Sequence, residues 1–402
     1  MATVAIIAEY NPFHSGHAYQ ITKIREQIGH DTAIIAITSG NFVQRGDVAF
    51  ADKLTRAKSA VLCGVNLVLE LPFPYSMASA DLFAKSAVAI ANSLGTVDYL
   101  SFGSESGNID ELSYAANVFL SEKYCVTFNE ISKNKQLGYA KCCELAYKKC
   151  AEKFQNFEFS SNNILAVEYV KALKLLNSKI QPHTIKRNGA DYSIEKTDGS
   201  LLHQSATAIR ATLLENPSMA MQFMPKAAAQ TITDGLSLGE LPCDSERIGC
   251  AIISHFRLTD SCAGKHIHDA GDGLYNRLAN ASFKANNISS LLALTETKKY
   301  TRARTRRAMW YGFLGVTSSD VKEAPRFTQV LAMDKIGMSL LRDIRKSTRI
   351  FVLTKPSDYK HFDEKATRQK KLSERADSIF ELTRPQFTTG SWAVKLTPFI
   401  KK

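Results

Sequence analysis

The sequence predicts an α/β protein: a doubly wound parallel sheet with a second, mainly helical and basic domain behind it. Three observations carry that expectation. Short apolar, β-branched runs alternate with stretches of helical spacing through the first hundred residues, the pattern of strands joined by crossover helices. Polar, glycine-bearing segments fall at the ends of those runs, where such sheets keep their functional loops. Beyond about residue 220 strand-like runs become rare and arginines cluster.

The elements follow in order. "TVAIIA" (3–8) reads as a buried parallel strand. After "EYNPFHSGH", Ile21, Ile24 and Ile28 recur at helical intervals, so an amphipathic helix runs from Gly16 to Gly29. "TAIIAIT" (32–38) is a second strand. "ADKLTRAKSAVLCG" is a helix capped by Asp52 and closed by Gly64. "VNLVLELP" (65–72) is a third strand stopped by Pro72, "SMASADLFAKSAVAIANSLG" a second crossover helix, and "VDYLSFG" (97–103) a fourth strand. Residues 110–180 read as helical, most clearly "NNILAVEYVKALKLL". "QPHTIKRNGADYS" reads as strand and loop, "HQSATAIRATLLENP" as a loop feeding a helix, and "TRIFVLT" as a further short strand. The expected boundary divides the chain into 1–220 and 221–402, the latter helical and basic.

Bulk properties narrow the function classes. The 402 residues are 45% hydrophobic and carry a net charge of +12, a positive surface that suits polyanions such as nucleic acid or acidic membranes. No segment has the length or apolarity of a membrane span or the pattern of a signal peptide. The eight cysteines form no CxxC and no paired zinc spacing, which fits packed thiols in a reducing cytoplasm. "HIHD" (266–269) has no second ligand pair near it in sequence and reads as a surface loop, so no metal-binding residues are expected.

The chemistry concentrates where the first strand ends. His14 and His17 flank Gly16 at a strand-to-helix turn. In one reading they are loop histidines that happen to be close. In the other, two imidazoles, the open amides of the first helical turn and its dipole converge on a phosphate, and a glycine lets the ligand approach the backbone. Fixed donors aimed at an α-phosphate under in-line attack would lower the barrier there. "SATAIR", Ser205 to Arg210, offers hydroxyls and a guanidinium to phosphate oxygens just before a helix. Arg45 in "FVQRG" binds phosphate or RNA in one reading and caps its own loop in the other. Glu9 and Glu70 end strands near the crevice, where a magnesium ligand, a base or a merely paired carboxylate would stand.

An H-x-G-H motif opening a helix after strand one resembles the nucleotidyltransferase group related to class I aminoacyl-tRNA synthetases, and "SATAIR" resembles that group's mobile phosphate-clamping loop. The ordered set "EYNPFHSGH", "SGNFVQRG", "ELPFPYS", "FGSESG", "NNIL" and "IKRNGADY" resembles the bacterial tRNA(Met) cytidine acetate ligase family, and "GLYNRL" and "KKYTRARTRR" extend the likeness into the second half. The resemblance implies a HIGH-type Rossmann-like catalytic domain. It implies that ATP and acetate give acetyl-adenylate and pyrophosphate, and that the acetyl group passes to N4 of the wobble cytidine of elongator tRNA(Met), in the cytoplasm. It implies His14, His17, Ser205 and Arg210 as the catalytic set. Ile7, Ala8, Glu9, Tyr10, Asn11, Pro12, Phe13, His14, Ser15, Gly16, His17, Ala18, Tyr19 and Gln20 would surround ATP, with Gly103, Asn162, Asn163 and Arg187. Mg2+ would accompany ATP, although no protein ligand for it can be named. Two departures stand out: Ser15 where the family usually has Asn, and Ser161 where it commonly has Pro.

Arg302, Arg304, Arg306 and Arg307, interleaved with Tyr300, Trp310 and Tyr311, read as a contact with the tRNA backbone; a solvated helix face is the plainer reading. Two other functions stay open from the residues: a nucleotidyltransferase that makes a small cofactor, and a non-catalytic RNA-binding factor on a relic nucleotide fold.

Overall fold

A computed structural model describes residues 1–134, 137–187, 204–259, 261–386 and 397–402. The strands are β1 Thr3–Ala8, β2 Ala33–Ser39, β3 Phe42–Val43, β4 Asp47–Val48, β5 Leu67–Leu71, β6 Tyr99–Ser104, β7 Gln181–Lys186, β8 Phe327–Met333, β9 Phe351–Leu353 and β10 Phe399–Ile400. The main sheet has the order β10-β8-β5-β2-β1-β6-β7, with β9 on β8. β5, β2, β1, β6 and β7 pair in parallel, as the alternation of strand and helix requires. The expected helices form at Ser15–Ile28, Lys53–Leu62 and Ala80–Leu94, and Asp52 caps the second by accepting the Leu54 and Thr55 amides.

Both faces of the sheet are buried, which is why its strands read as unbroken apolar runs. Val4, Ile6, Ile34 and Val68 belong to one apolar cluster, and Ala5, Ile35, Leu67 and Leu69 to the other. Among the described residues no helix is long and apolar enough to cross a membrane.

Two elements depart from the sequence reading. "SGNFVQRG" folds into a two-stranded hairpin, β3 against β4. β8 has no counterpart among the expected strands: it runs antiparallel to β5 and parallel to β9 and β10. An antiparallel strand needs no crossover helix, so β8 breaks the alternation that marks the others. Its second and third residues, Thr328 and Gln329, are polar yet buried, and Thr328 donates its hydroxyl to the Glu70 carbonyl at 2.7 Å.

β8 and β10 also carry the sheet across residue 220. One apolar cluster joins Val4, Phe42 and Val68 to Trp310, Leu331 and Phe380. Segments 1–220 and 221–402 therefore share a core and a sheet, the mainly helical second segment contributing β8, β9 and β10 to it.

Candidate active site

The strand order reverses at β1, which has β2 on one side and β6 on the other. At such a switch point the loops beyond the carboxyl ends diverge and leave a crevice. The loop after β1 supplies one side, and the end of β6 with Glu105 the other.

His14 is the N-cap of helix Ser15–Ile28. Its Nδ1 accepts the Gly16 N–H at 3.1 Å, and Nδ1 of His17 accepts the His14 N–H at 3.2 Å. This is a capping box built from imidazoles instead of a hydroxyl and a carboxylate. The two rings stack with centroids 3.8 Å apart, and Tyr10 and Phe13 pack against His17 at 4.8 and 5.3 Å. A neutral imidazole whose Nδ1 accepts must carry its proton on Nε2. The backbone thus selects, for both rings, the tautomer that donates from Nε2.

The open amides expected in the first helical turn are not open. Ser15 donates its N–H to the Phe223 carbonyl at 2.9 Å, Gly16 to the His14 ring, and His17 to the His14 carbonyl at 2.9 Å. Any donation to a ligand at this turn would fall instead to the imidazoles, with the helix dipole behind them.

Gly16 also has a different reason from the expected one. A Cβ there would lie 2.9 Å from His14 Cε1 and 3.1 Å from Nδ1, so it is the His14 ring that excludes a side chain. Gly16→Ala is expected to push that ring off its cap and to slow ATP-dependent turnover roughly ten- to a hundredfold, because small misplacements of catalytic groups are costly. Steady-state kinetics beside a thermal melt separates this from unfolding.

Burial, reinforced by the Arg187 charge and by the repulsion that a proton on His14 would add, holds the His17 imidazole well below its ordinary pKa. Above about pH 6.5 the ring is neutral folded or unfolded and costs nothing. Below that, the unfolded chain takes a proton that the folded chain refuses, so stability falls as pH falls, by up to ~1.4 kcal/mol per pH unit for one group. Urea unfolding between pH 7.5 and 5.5 is expected to show this acid limb, shallower in His17→Ala.

The remaining expected residues gather at the same crevice. Ile7 and Ala8 end β1, Pro12 lies in the loop, and Ala18, Tyr19 and Gln20 occupy the start of the helix. Gln20 donates from Nε2 to the Ser101 carbonyl on β6 at 3.3 Å. "SATAIR" is brought against the β1 loop: Arg210 donates from Nη1 to the Asn11 carbonyl at 2.8 Å and from Nη2 to Thr207 at 3.2 Å. Ser205 caps helix Ala206–Glu215 by accepting the Ala208 N–H at 3.2 Å. Asn11 turns its side chain inward, where Oδ1 accepts the Phe50 N–H at 2.9 Å.

At the other side, the stem of Arg187 lies over Gly103, whose added Cβ would meet Arg187 Cγ at 3.1 Å. Asn163 is fully buried. Its Oδ1 accepts the Glu105 and Ser106 amides at 2.9 and 3.2 Å, and its Nδ2 donates to the Glu158 carbonyl at 3.0 Å. Asn162 donates to the Glu105 carboxylate. Burial pushes Glu105 up, but hydrogen bonds from Ser160 and Asn162 and the Arg187 charge outweigh it and hold the carboxyl below its usual range. Asn163 thus fixes the backbone of the loop after β6. The "NGADY" part of the motif after Arg187 lies outside the described residues.

Sequence reasoning passed over a buried charge network under the crevice. Arg56, 2% exposed, donates to the carbonyls of Glu9, Ser39, Gly40 and Ala51. It thereby ties together the carboxyl ends of β1 and β2. Burial draws its guanidinium down to about 10. Lys53 donates to Glu70 at 2.8 and 3.0 Å and to Asp377 at 2.6 Å. The signal was present as Lys53 and Arg56, one helical turn apart on a face shared with Ala57, Ala60 and Val61.

That network removes Glu70 as a magnesium ligand. Glu9 uses Oε1 to accept the Gln44 N–H at 2.8 Å, and Asp47 pairs with Arg306 at 3.0 Å. Among the described residues no cluster of His, Cys, Asp and Glu could hold a metal ion. Cys63, Cys125, Cys142, Cys143, Cys150, Cys243 and Cys250 are free thiols.

The basic stretch is the first turn and a half of helix Arg302–Leu314. Arg302 pairs with Glu296, Arg304 with Asp269 and Asp272, Arg306 with Asp47, and Arg307 with Asp269. Tyr300, Trp310 and Tyr311 are buried in the core, so they offer no stacking surface to RNA. A cleft of about 400 Å³ between Gly315 and helix Glu364–Glu381 shares no residue with the crevice.

The HIGH Nucleotidyl Transferase family model matches residues 1–392. A tRNA(Met) cytidine acetate ligase from Thermoanaerobacter sp. (strain X514) is 35% identical over 367 residues, 90% of each chain. The protein of the same name from Acetivibrio thermocellus is 34% identical over 373 residues, 89% of each chain. The crystal structure of Thermotoga maritima TmcAL bound with alpha-thio ATP superposes with a TM-score of 0.90 at 27% identity, covering all of both chains.

Proposed function

The chain belongs to the HIGH nucleotidyl transferase family and, within it, to the tRNA(Met) cytidine acetate ligases, and we propose that it activates acetate with ATP and acetylates N4 of the wobble cytidine of elongator tRNA(Met). One observation carries the mechanism: two stacked imidazoles, both locked by backbone amides with the proton on Nε2, at the switch point of the sheet.

In the first step an acetate oxygen attacks the α-phosphorus in line, the P–O bond to pyrophosphate breaks, and charge builds on the non-bridging oxygens. His14 and His17 donate to those oxygens from Nε2 without gaining or losing a proton. Because both are held in place before ATP arrives, little reorganisation is needed as the charge develops. Arg210, tethered to the Asn11 carbonyl, adds a cation beside the same loop, and Ser205 stands at the start of its helix. In the second step the cytidine N4 amine attacks the acetyl carbonyl and AMP leaves with the former carboxylate oxygen. That amine is a weak nucleophile because its lone pair is conjugated into the ring, so the mixed anhydride supplies the driving force.

Magnesium would accompany ATP and neutralise phosphate charge, and among the described residues no protein ligand for it can be named. The free thiols and an RNA substrate fit the cytoplasm. A small-cofactor nucleotidyltransferase would share the histidine pair, but not 35% identity along 90% of both chains with a tRNA ligase.

We further assign Arg302, Arg304, Arg306 and Arg307 to the RNA-facing side. Replacing Arg304, Arg306 and Arg307 together by Gln is expected to weaken tRNA binding and to lower its log–log salt slope by up to about three. Filter binding from 50 to 200 mM salt checks this; an unchanged slope assigns these arginines to their carboxylate partners alone.

The reaction itself is tested by incubating the protein with ATP, carbon-13 acetate and elongator tRNA(Met), then analysing nucleosides by mass spectrometry. Labelled N4-acetylcytidine at the wobble position is expected. An acetate-independent adenylate, or label on another nucleoside, contradicts the assignment.

A further inference from the structure

The turn between β3 and β4 has no part in the steps above, yet it is fixed from three sides. The Gln44 amide donates to Glu9 Oε1 at 2.8 Å, next to the loop that carries the histidines. Gly46, at φ +80°, lies so close to helix Arg302–Leu314 that a Cβ would stand 2.8 Å from Arg306 Cβ and 2.9 Å from the Arg307 nitrogen. Asp47 binds Arg306 at 3.0 Å and accepts the Ser245 hydroxyl at 3.2 Å. The turn is thus a rigid bridge between the crevice and the basic helix.

Arg45 sits on this bridge with its side chain exposed. The other arginines around it are engaged: Arg56 by carbonyls, Arg210 by the Asn11 carbonyl, and Arg306 by Asp47. Among the described residues no carboxylate or carbonyl holds the Arg45 guanidinium. It is near enough to Arg210 for the two charges to oppose each other, and Arg306 adds to the effect. Three guanidiniums thus face two carboxylates, Glu9 and Asp47. A surplus cation on a rigid, solvent-facing mount is a site for an anion, and five donors in a fork fit a phosphate.

We propose that Arg45 binds a phosphodiester of the RNA strand and so positions the acceptor cytidine over the crevice. The proposal rests on the acetyl-transfer reading for its choice of anion. ATP is the other source of phosphate at this mouth. An RNA backbone suits Arg45 better because the residue is exposed and lies on the bridge toward the basic helix, outside the histidine loop.

The test compares wild type, Arg45→Gln and Arg45→Lys in two assays: tRNA affinity by filter binding without ATP, and acetate-dependent ATP–pyrophosphate exchange without tRNA. Arg45→Gln is expected to weaken tRNA binding roughly tenfold and to lower the salt slope by about one. Its exchange rate stays at the wild-type value. Arg45→Lys recovers the slope but only part of the affinity, since it keeps the charge and loses the fork. Unchanged tRNA affinity in Arg45→Gln overturns the proposal, and a fall in exchange assigns the guanidinium to ATP instead. A wild-type protein that binds tRNA and gives no exchange sinks the acetyl-transfer reading, while the affinity comparison still decides the role of Arg45.

Discussion

Replacing His17 by Ala is expected to slow acetyl-adenylate formation about 10²–10³-fold, the usual cost of deleting one preorganised donor at a developing oxyanion. tRNA affinity measured without ATP is expected to stay at the wild-type value. The variant loses more than the Nε2 donor, because the His14 amide loses its acceptor and the His14 ring loses its stacking partner. A second variant separates these effects. His17→Glu restores the ordinary capping box and should melt closer to wild type than His17→Ala. Its carboxylate repels a triphosphate, so it should adenylate no faster. Exchange kinetics, tRNA binding and thermal melts on both variants check this. Parallel loss of adenylation and tRNA binding would make His17 a structural residue.

The second large effect is on stability. Lys53 is 2% exposed and faces Glu70 and Asp377, 2% and 4% exposed. Burial pushes the Glu70 carboxyl up, and Lys53 opposes that shift. Lys53→Met removes the cation that bridges the pair and leaves two buried carboxylates facing each other. A loss of about 3–5 kcal/mol is expected, as for other broken buried ion pairs. The pH dependence identifies the cause. Without Lys53 the folded state favours a protonated Glu70 more than the unfolded state does, so the variant's deficit should shrink as pH falls through the raised folded pKa. Denaturant unfolding at several pH values measures this; a deficit constant from pH 8 to 5 would point to packing instead. The same network ties Asn41 at the end of β2 to both Lys53 and Asp377. Weakening it should therefore also loosen the crevice floor.

What was legible in the sequence were the features that repeat. β1, β2, β5 and β6 announce themselves because a sheet buried on both faces needs unbroken apolar runs. The site loop announces itself because His14, Gly16 and His17 sit together at a strand-to-helix turn. What was hidden depends on partners far away in the chain. β8 pairs with β5 across more than 250 residues and carries buried Thr328 and Gln329, so no local period marks it. Lys53 reads as a surface lysine until Asp377 arrives beside it from the far end of the chain. Tyr300, Trp310 and Tyr311 interleave with the arginines of the expected tRNA backbone contact, and only the packing shows them in the core. The contact that requires a glycine at position 16 is equally non-obvious from sequence, since the added Cβ would meet the His14 ring.

The central claim is that His14 and His17 grip the nucleotide phosphates through Nε2. The most direct measurement is a crystal structure of this protein with a nonhydrolysable ATP analogue and magnesium at saturating concentration. The account predicts α-phosphate oxygens within hydrogen-bonding distance of both Nε2 atoms, with the two Nδ1 atoms still capped by the amides of Gly16 and His14. A nucleotide bound elsewhere with this crevice empty, or imidazoles turned so that Nδ1 meets the phosphate, would contradict it.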